Sequence, residues 1–256
     1  VERLRKMGVQ VAVGHRAENV PGAALLVFSA AISPENPERQ EAARLGIPEM
    51  ERSTLLGQLM LGHKQSICVC GAHGKTTTSS MIAEALLECG LDPTVHIGGR
   101  LDALGGGSRV GKKDVFVAEA CEFHGSFLEM HPTVAVVLNI DADHLDYYKD
   151  IEHIERAFGQ FLSLLPPDGV ALGWGEDARI MRLFGKLSCE RRTFGLGREN
   201  DYHPEDLSYS DTGCPRYDVV FRGEKLCRVE LKVAGSFNVI NSLAAFAAAH
   251  VVGADP

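Results

Sequence analysis

A chain of 256 residues holds one large domain or two modest ones, and 45% hydrophobic with 23% charged residues is a globular composition, not a disordered or fibrous one. A formal charge of −8 offers no general positive field, which argues against nucleic acid or an anionic membrane as partner and leaves any anionic ligand to local groups. Seven scattered cysteines with no C-x-x-C pair, no apolar run near the roughly 20 residues of a membrane span and no signal peptide together predict a cytoplasmic protein.

The chain opens on VERLRKMG, which reads as the closing turns of a helix. Residues 9–13 (VQVAV) and 24–30 (ALLVFSA) read as short strands. Between them and the next unit, NPERQEAARLG has proline in its first turn and glycine at its end, the pattern of a helix over 36–46. The run 47–64 reads as a further capped helix, and a domain boundary is expected near His63. Ile67 to Cys70 is a buried strand feeding a glycine loop, and 76–89 is a helix with Met81, Ile82, Ala85, Leu86 and Cys89 on one side. The near-continuous apolar runs 114–120 and 133–140 suit strands buried on both faces. Apolar residues at 151, 154, 158, 161, 162 and 165 mark a helix, PPDG ends it, and VALGW forms the next strand. Residues 217–233 alternate around a glycine-containing turn, predicting an antiparallel hairpin, and helix resumes at Ser236. The closing AAAHVVGADP lies just past that helix, so both ends read as cut from something longer. Strand, helix and strand in alternation predict an α/β fold.

The stretch GAHGKTTTSS carries the clearest chemistry. A strand, a short glycine loop and a helix start aim backbone N–H groups at one point, with the helix dipole behind them. Lys75 adds a charge for β- and γ-phosphates, and the Thr76 hydroxyl can ligate Mg²⁺. Position 69, where the common phosphate loop has its first glycine, is Val69, so this loop is two residues shorter. Glu119 ends a buried strand, the place where α/β proteins put ligand-binding groups, and Glu122 and His124 follow it. A second apolar strand leads into Asn139, Asp141, Asp143, His144 and Asp146, where the histidine suits a metal ligand steadied by a neighbouring carboxylate. Asn238 and Asn241 lie three apart on one helical face. Each signal after the first also has a plainer explanation: a solvated strand end, an acidic turn, or asparagines capping a helix.

In this order, residues 71–78, Glu119, 139–144 and 235–241 resemble the Mur ligase family of ATP-dependent amide-bond ligases, whose loop naturally lacks the earlier glycine. Here Ala72 stands where that family commonly has threonine. Together with GHRAENV, SAAISPENPE, IPEMER and EACEFHGSFLEMHPTVAVVLNIDADHLDYYKD, the match covers essentially the whole chain, and its phrases are most similar to the family's alanine-adding branch.

The resemblance implies a partial Rossmann-like N-terminal domain over 1–62, for a UDP-sugar. A P-loop-type central ATPase domain follows over 63–256, with a mostly parallel sheet and a small antiparallel excursion. A third domain would lie downstream, so the chain alone is expected not to turn over. Substrates would be UDP-N-acetylmuramate and L-alanine, and cofactors ATP and Mg²⁺. Lys75, Glu119 and His144 would be catalytic, and Thr76, Glu119 and His144 would hold metal. Gly71, Ala72, His73, Gly74, Lys75, Thr76, Thr77, Asn238 and Asn241 would bind ATP. His15, Ser29, Ala31, Ile32 and Glu122 would serve the UDP-sugar.

Two departures matter. The helix of residues 151–165 contains no lysine, where many relatives carry a carbamylated one, and the alanine-adding branch generally lacks it too. At His124 many relatives have an acidic residue. The rivals are a murein-tripeptide recycling ligase and a folate polyglutamate ligase of the same family, a regulatory protein that keeps the ATP fold without catalysis, and an ordinary P-loop phosphotransferase.

Overall fold

The computed structural model describes residues 1–112, 114–145 and 147–255; Asp146, which the sequence groups with the acidic turn, lies outside them. The chain divides into two compact units, residues 1–56 and 57–256. In the first, helix α1 (Glu2–Lys6) and a single 3-10 turn (Ala17–Asn19) precede strand β1 (Leu26–Phe28). Helix α2 (Pro37–Leu45) follows, then strand β2 (Glu49–Glu51). The ends of α2 follow the sequence closely. The Asn36 side chain accepts from the Glu38 N–H, proline occupies the first turn, and Gly46 closes the helix at φ 69°.

Two expectations fail in this unit. Residues 9–13 form no strand: Val9 and Val13 are exposed, and the two-stranded parallel sheet consists of β1 and β2 alone. An apolar run without a neighbour to take its backbone hydrogen bonds does not become a strand. The run 47–64 is not one helix either. Pro48 turns the backbone at Ile47 toward extended geometry, β2 pairs with β1, and only then does helix α3 (Arg52–Met60) begin.

The second unit is built on one ten-stranded sheet. In chain order its elements are β3 (Gln65–Cys70), α4 (Lys75–Glu88), β4 (Thr94–Leu101), β5 (Gly106–Arg109) and β6 (Val115–Glu119). Next come β7 (Val134–Val137), α5 (Ile151–Leu162), β8 (Val170–Trp174), α6 (Ala178–Phe184) and β9 (Glu190–Phe194). The last are β10 (Tyr202–Tyr209), β11 (Pro215–Phe221), β12 (Glu224–Glu230) and α7 (Phe237–Val251). The strand order is β12-β11-β10-β9-β8-β7-β3-β6-β4-β5. Pairing is parallel from β10 through β4 and antiparallel at both edges, where β10, β11 and β12 form a meander and β5 folds back on β4.

The buried strands carry the sequence expected of them. Ile67, Val69, Val117, Val136 and Leu172 pack in one cluster with Ile82 and Leu86 of α4 and Val239, Leu243 and Ala244 of α7. The alanine-rich α7 (FNVINSLAAFAAAHV) lets α4 and α7 lie together over that face. On the other face Phe127 stacks on Phe161 with centroids 4.9 Å apart, and α6 presses Phe184 and Ile180 against Gly173. A side chain at Gly173 would meet those two within 2.5 and 2.6 Å, so the close approach requires glycine.

Strand β3 is central to the site. The connection leaving it through α4 runs toward β4, whereas the connection leaving β6 crosses back to β7 on the other side of β3. Such a reversal opens a crevice beyond the carboxyl ends of β3, β6 and β7, where open α/β sheets bind ligands.

Candidate functional site

The glycine loop fills that crevice. Gly71 sits at φ 141° and Gly74 at φ 88°, both in the region that favours glycine. A Cβ at Gly71 would meet the Asn139 backbone N at 3.1 Å, and one at Gly74 the Asn241 Oδ1 at 2.6 Å. Strand β7 and helix α7 therefore close on the loop from two sides. Asn139 fastens it: its Oδ1 accepts from the His73 N–H at 2.9 Å, and its Nδ2 donates to the His73 carbonyl at 3.0 Å. Gly74 caps α4 without a side chain, leaving the first-turn N–H groups of α4 to face the loop.

Lys75 is the first residue of α4. Its Nζ donates to the Gly71 carbonyl at 2.6 Å and to the two Glu122 carboxylate oxygens at 3.1 and 3.0 Å. Both side chains are largely buried, 12% and 3% exposed. Thr76 turns the other way: its hydroxyl donates to Glu119 Oε2 at 2.9 Å, and the Gly98 N–H donates to the same oxygen at 2.8 Å. The Thr76–Glu119 pair at the end of β6 is thus oriented by the backbone of β4.

A second polar group lies beside it. His144 Nε2 is 3.8 Å from Glu122 Oε1 and 3.8 Å from Asp143 Oδ2, and ligand atoms of these three residues all lie within 4.8 Å of one another. His144 adopts φ 54°, a strained value for histidine. Its N–H donates to Asp143 Oδ1 at 2.8 Å, and its carbonyl accepts from the Tyr147 and Tyr148 N–H groups. Tyr148 is buried, and its hydroxyl donates to the Glu122 carbonyl. Burial pushes the Tyr148 phenol well up, so it stays a donor, and burial likewise raises the Cys121 thiol between Glu119 and Glu122.

The two asparagines of α7 are buried and linked. Asn241 Nδ2 donates to Asn238 Oδ1 at 3.1 Å, and Asn238 Nδ2 donates to the Ala234 carbonyl at 2.8 Å. Asn241 also lines a cavity of about 340 Å³ with His73, Gly74, Leu138, Trp174 and Phe237. The cavity opens beside the loop, at the ends of β7 and β8.

The structure thus gathers residues 71–77, Glu119, Glu122, His144, Asn238 and Asn241 around one crevice. Glu122, which the resemblance groups with the sugar-binding residues, lies against Lys75. His124, at φ 53°, packs on Phe123 and Tyr147. His15, Ser29, Ala31 and Ile32 belong to the first unit. There His15 Nδ1 lies 2.7 Å from Glu38 Oε2, the Ile32 N–H donates to the Ser29 carbonyl, and the Ile32 carbonyl accepts from Arg39. Asn139 as a clamp, Gly98 and Trp174 escaped the sequence reading. The signals were there in part: a polar residue closing an apolar strand, and a lone tryptophan between two glycines.

Residues 69–249 match the Mur ligase middle domain, and residues 1–64 match the Mur ligase family catalytic domain. The chain belongs to the Mur ligase family. Among the family's curated members it is 45% identical over 252 residues to a UDP-N-acetylmuramate–L-alanine ligase of Acetivibrio thermocellus, covering 98% of this chain and 54% of that one. A ligase of the same name from Caldanaerobacter subterraneus subsp. tengcongensis is 44% identical, covering 100% and 55%. Among solved Mur ligases, the UDP-N-acetylmuramate-alanine ligase of Thermotoga maritima superposes with a TM-score of 0.83 at 29% identity, covering 98% of this chain and 56% of that one. The UDP-N-acetylmuramate:L-alanyl-gamma-D-glutamyl-meso-diaminopimelate ligase of Neisseria meningitides gives 0.85 at 26% identity, covering 99% and 82%. The chain spans about half the length of the curated relatives it matches. No helix among the described residues is long and apolar enough to cross a membrane.

Proposed function

We propose that this chain carries the ATP-binding domain, and the adjoining part of the sugar-nucleotide domain, of a cytoplasmic UDP-N-acetylmuramate–L-alanine ligase of peptidoglycan synthesis. One observation carries the reading. The glycine loop, Lys75, the Thr76–Glu119 pair and His144 converge on one crevice in a chain 45% identical to a ligase of that name across 98% of its length. The sugar-nucleotide residues in this reading are His15, Ser29, Ala31 and Ile32, within a domain of residues 1–62.

In this reading a substrate carboxylate oxygen attacks the γ-phosphorus of ATP, the bond to the β-phosphate oxygen breaks, and ADP leaves. The amine of L-alanine then attacks the carbonyl carbon of the acyl phosphate, phosphate departs, and the nitrogen loses a proton. Such transfer depends on positioning and charge neutralisation more than on a protein nucleophile. The loop N–H groups and Lys75 hold the phosphates, with Lys75 exchanging Glu122 for phosphate oxygens. Asn238 and Asn241 lie toward the base. The oxygen donors of Thr76 and Glu119 fit a hard divalent cation, as do Glu122 and Asp143 grouped with His144. Magnesium would be held by Thr76 and Glu119, and at a second position by His144 with Glu119 or its carboxylate neighbours. When bound it neutralises phosphate charge. Turnover belongs to a longer protein, and nucleotide binding to this chain.

Assay of the full-length ligase containing this chain, with ATP, UDP-N-acetylmuramate and either L-alanine or the tripeptide, tests the reading. ATP-dependent amide formation with L-alanine is expected. The likeness to the Neisseria ligase, with a TM-score of 0.85, supports tripeptide as the second reading, and a preference for tripeptide would establish it in place of the first.

A further inference from the structure

The cavity beside the glycine loop has an aromatic wall to which no role has been given. Trp174, the only tryptophan in the chain, is the last residue of β8 and lines that cavity with Leu138, Phe237, Ile240 and Asn241. Its neighbours hold it there. Gly173 lies on the opposite side of the strand from Trp174, and Gly175 begins the turn that follows. A Cβ at Gly173 would meet Phe184 and Ile180 of α6 within 2.6 Å, and one at Gly175 the Asn200 Oδ1 at 1.9 Å. The backbone on either side of the indole is therefore fixed by close packing, and the ring itself rests on the apolar cluster beneath α7. The indole Nε1–H is buried with no acceptor among the described residues. With that donor buried, what the side chain offers the cavity is aromatic surface. Phe237, at the start of α7, is apolar yet 67% exposed on the same cavity.

Asn241 gives one amide hydrogen to Asn238 Oδ1 and Asn238 gives one to the Ala234 carbonyl, so each keeps a second for a ligand. Beside these amides, a planar ligand group in this space would gain from contact with the aromatic side chains. The loop residues His73, Gly74 and Thr77 form the other side of the cavity. A phosphate held by the loop would therefore carry its nucleoside directly into it. We propose that Trp174 is a nucleotide-binding residue whose indole face takes the purine of the nucleotide, with Phe237 sharing that contact. The inference rests on the nucleotide reading above and adds to it the group that holds the base.

The sole tryptophan makes the test direct. Intrinsic emission of the full chain is followed during titration with Mg-ATP, Mg-ADP and adenosine. Calorimetry with Mg-ATP and with inorganic tripolyphosphate runs in parallel on wild type, Trp174→Leu and Trp174→Phe. Saturable quenching by all three nucleoside ligands is expected. Base stacking on an aromatic side chain predicts about a tenfold rise in the Mg-ATP Kd for Trp174→Leu, and about threefold or less for Trp174→Phe. Tripolyphosphate, which has no base, binds all three proteins alike. Calorimetric Mg-ATP binding with unchanged emission, or with equal affinity in Trp174→Leu, overturns the role of Trp174 and leaves the nucleotide reading standing. An equal loss of tripolyphosphate affinity in Trp174→Leu also overturns it, because the effect is then on the loop and not on the base. If wild type binds neither Mg-ATP nor tripolyphosphate, the nucleotide reading itself fails, and this inference with it.

Discussion

The Lys75 ammonium sits 3.0 Å from a Glu122 oxygen in a setting where the two side chains are only 12% and 3% exposed. A buried pair of this kind gains its attraction against a large desolvation penalty, and removing one partner typically costs about 3–5 kcal/mol because the other charge is left uncompensated. Lys75→Met should therefore destabilise the fold by about that amount in urea unfolding, and should also abolish Mg-ATP binding by calorimetry. Adding Glu122→Gln should restore most of the stability and none of the binding. Recovery of both would show that Lys75 has no part in holding phosphate. Gly74 is tested separately. Alanine there must accept φ 88° and a contact of 2.6 Å with Asn241 Oδ1, so Gly74→Ala should destabilise by roughly 1–3 kcal/mol from the backbone strain alone. Gly74→Ala with Asn241→Ala should recover only the part due to contact, a difference that urea unfolding measures. Both glycines and the lysine were legible as a loop in the sequence. Glu122 as the partner of Lys75 was not, because it depends on how the loop after β6 folds back, which no local pattern encodes.

Elements were legible where their burial was simple. Strands β3, β6, β7 and β8 are covered on both faces and read as apolar runs, and α5 shows its helical period plainly. Strand β4 is another matter. Its sequence, TVHIGGRL, carries two glycines because Gly98 must approach Glu119 and Gly99 must approach Thr76, so the site itself blurs the strand pattern. Strands β9 (ERRTF) and β10 (YHPEDLSY) are exposed over part of their length and carry charged residues there, so neither reads as an apolar run. The hairpin β11–β12 was expected from its alternation, and it buries a charge: Asp218, 2% exposed, accepts from Lys225 Nζ at 2.5 Å and Arg228 Nη1 at 3.0 Å. The hydrogen bond from Lys225, above all, holds its carboxyl below the usual carboxylate range. A group whose pKa is lowered on folding stabilises above its unfolded value, about 3.9 for aspartate, and loses that contribution as pH falls through the folded value. Asp218→Asn should lower Tm by a constant amount above about pH 5, and the difference from wild type should shrink toward pH 3. A difference that stays the same across that range would mean the carboxylate charge contributes nothing to the hairpin.

Over the whole chain, the α/β class, the mostly parallel sheet and the family were all legible in the sequence, because each depends on order along the chain. Which neighbours a segment finds is another question, and there the sequence was less informative. Residues 9–13 have the composition of a strand but no partner strand among the described residues, and 47–64 has the periodicity of a helix but gives its first residues to β2. The sheet, the glycine loop, Lys75, Glu119, Glu122, His144 and the Trp174 cavity all fall within residues 57–256, which include the apolar cluster under α4 and α7. A unit with its own core keeps its local stability when a neighbouring unit is removed. A chain of residues 52–256, which leaves α3 whole, should then bind Mg-ATP with a Kd within about threefold of the full chain. By the proposed reading it should lose affinity for UDP-N-acetylmuramate, whose assigned residues His15, Ser29, Ala31 and Ile32 it lacks. Calorimetry with each ligand on both chains measures the two affinities independently. Loss of Mg-ATP binding from a shortened chain that still unfolds cooperatively in urea would place part of the nucleotide site in residues 1–51. Retained affinity for the sugar nucleotide would remove the role assigned to those four residues.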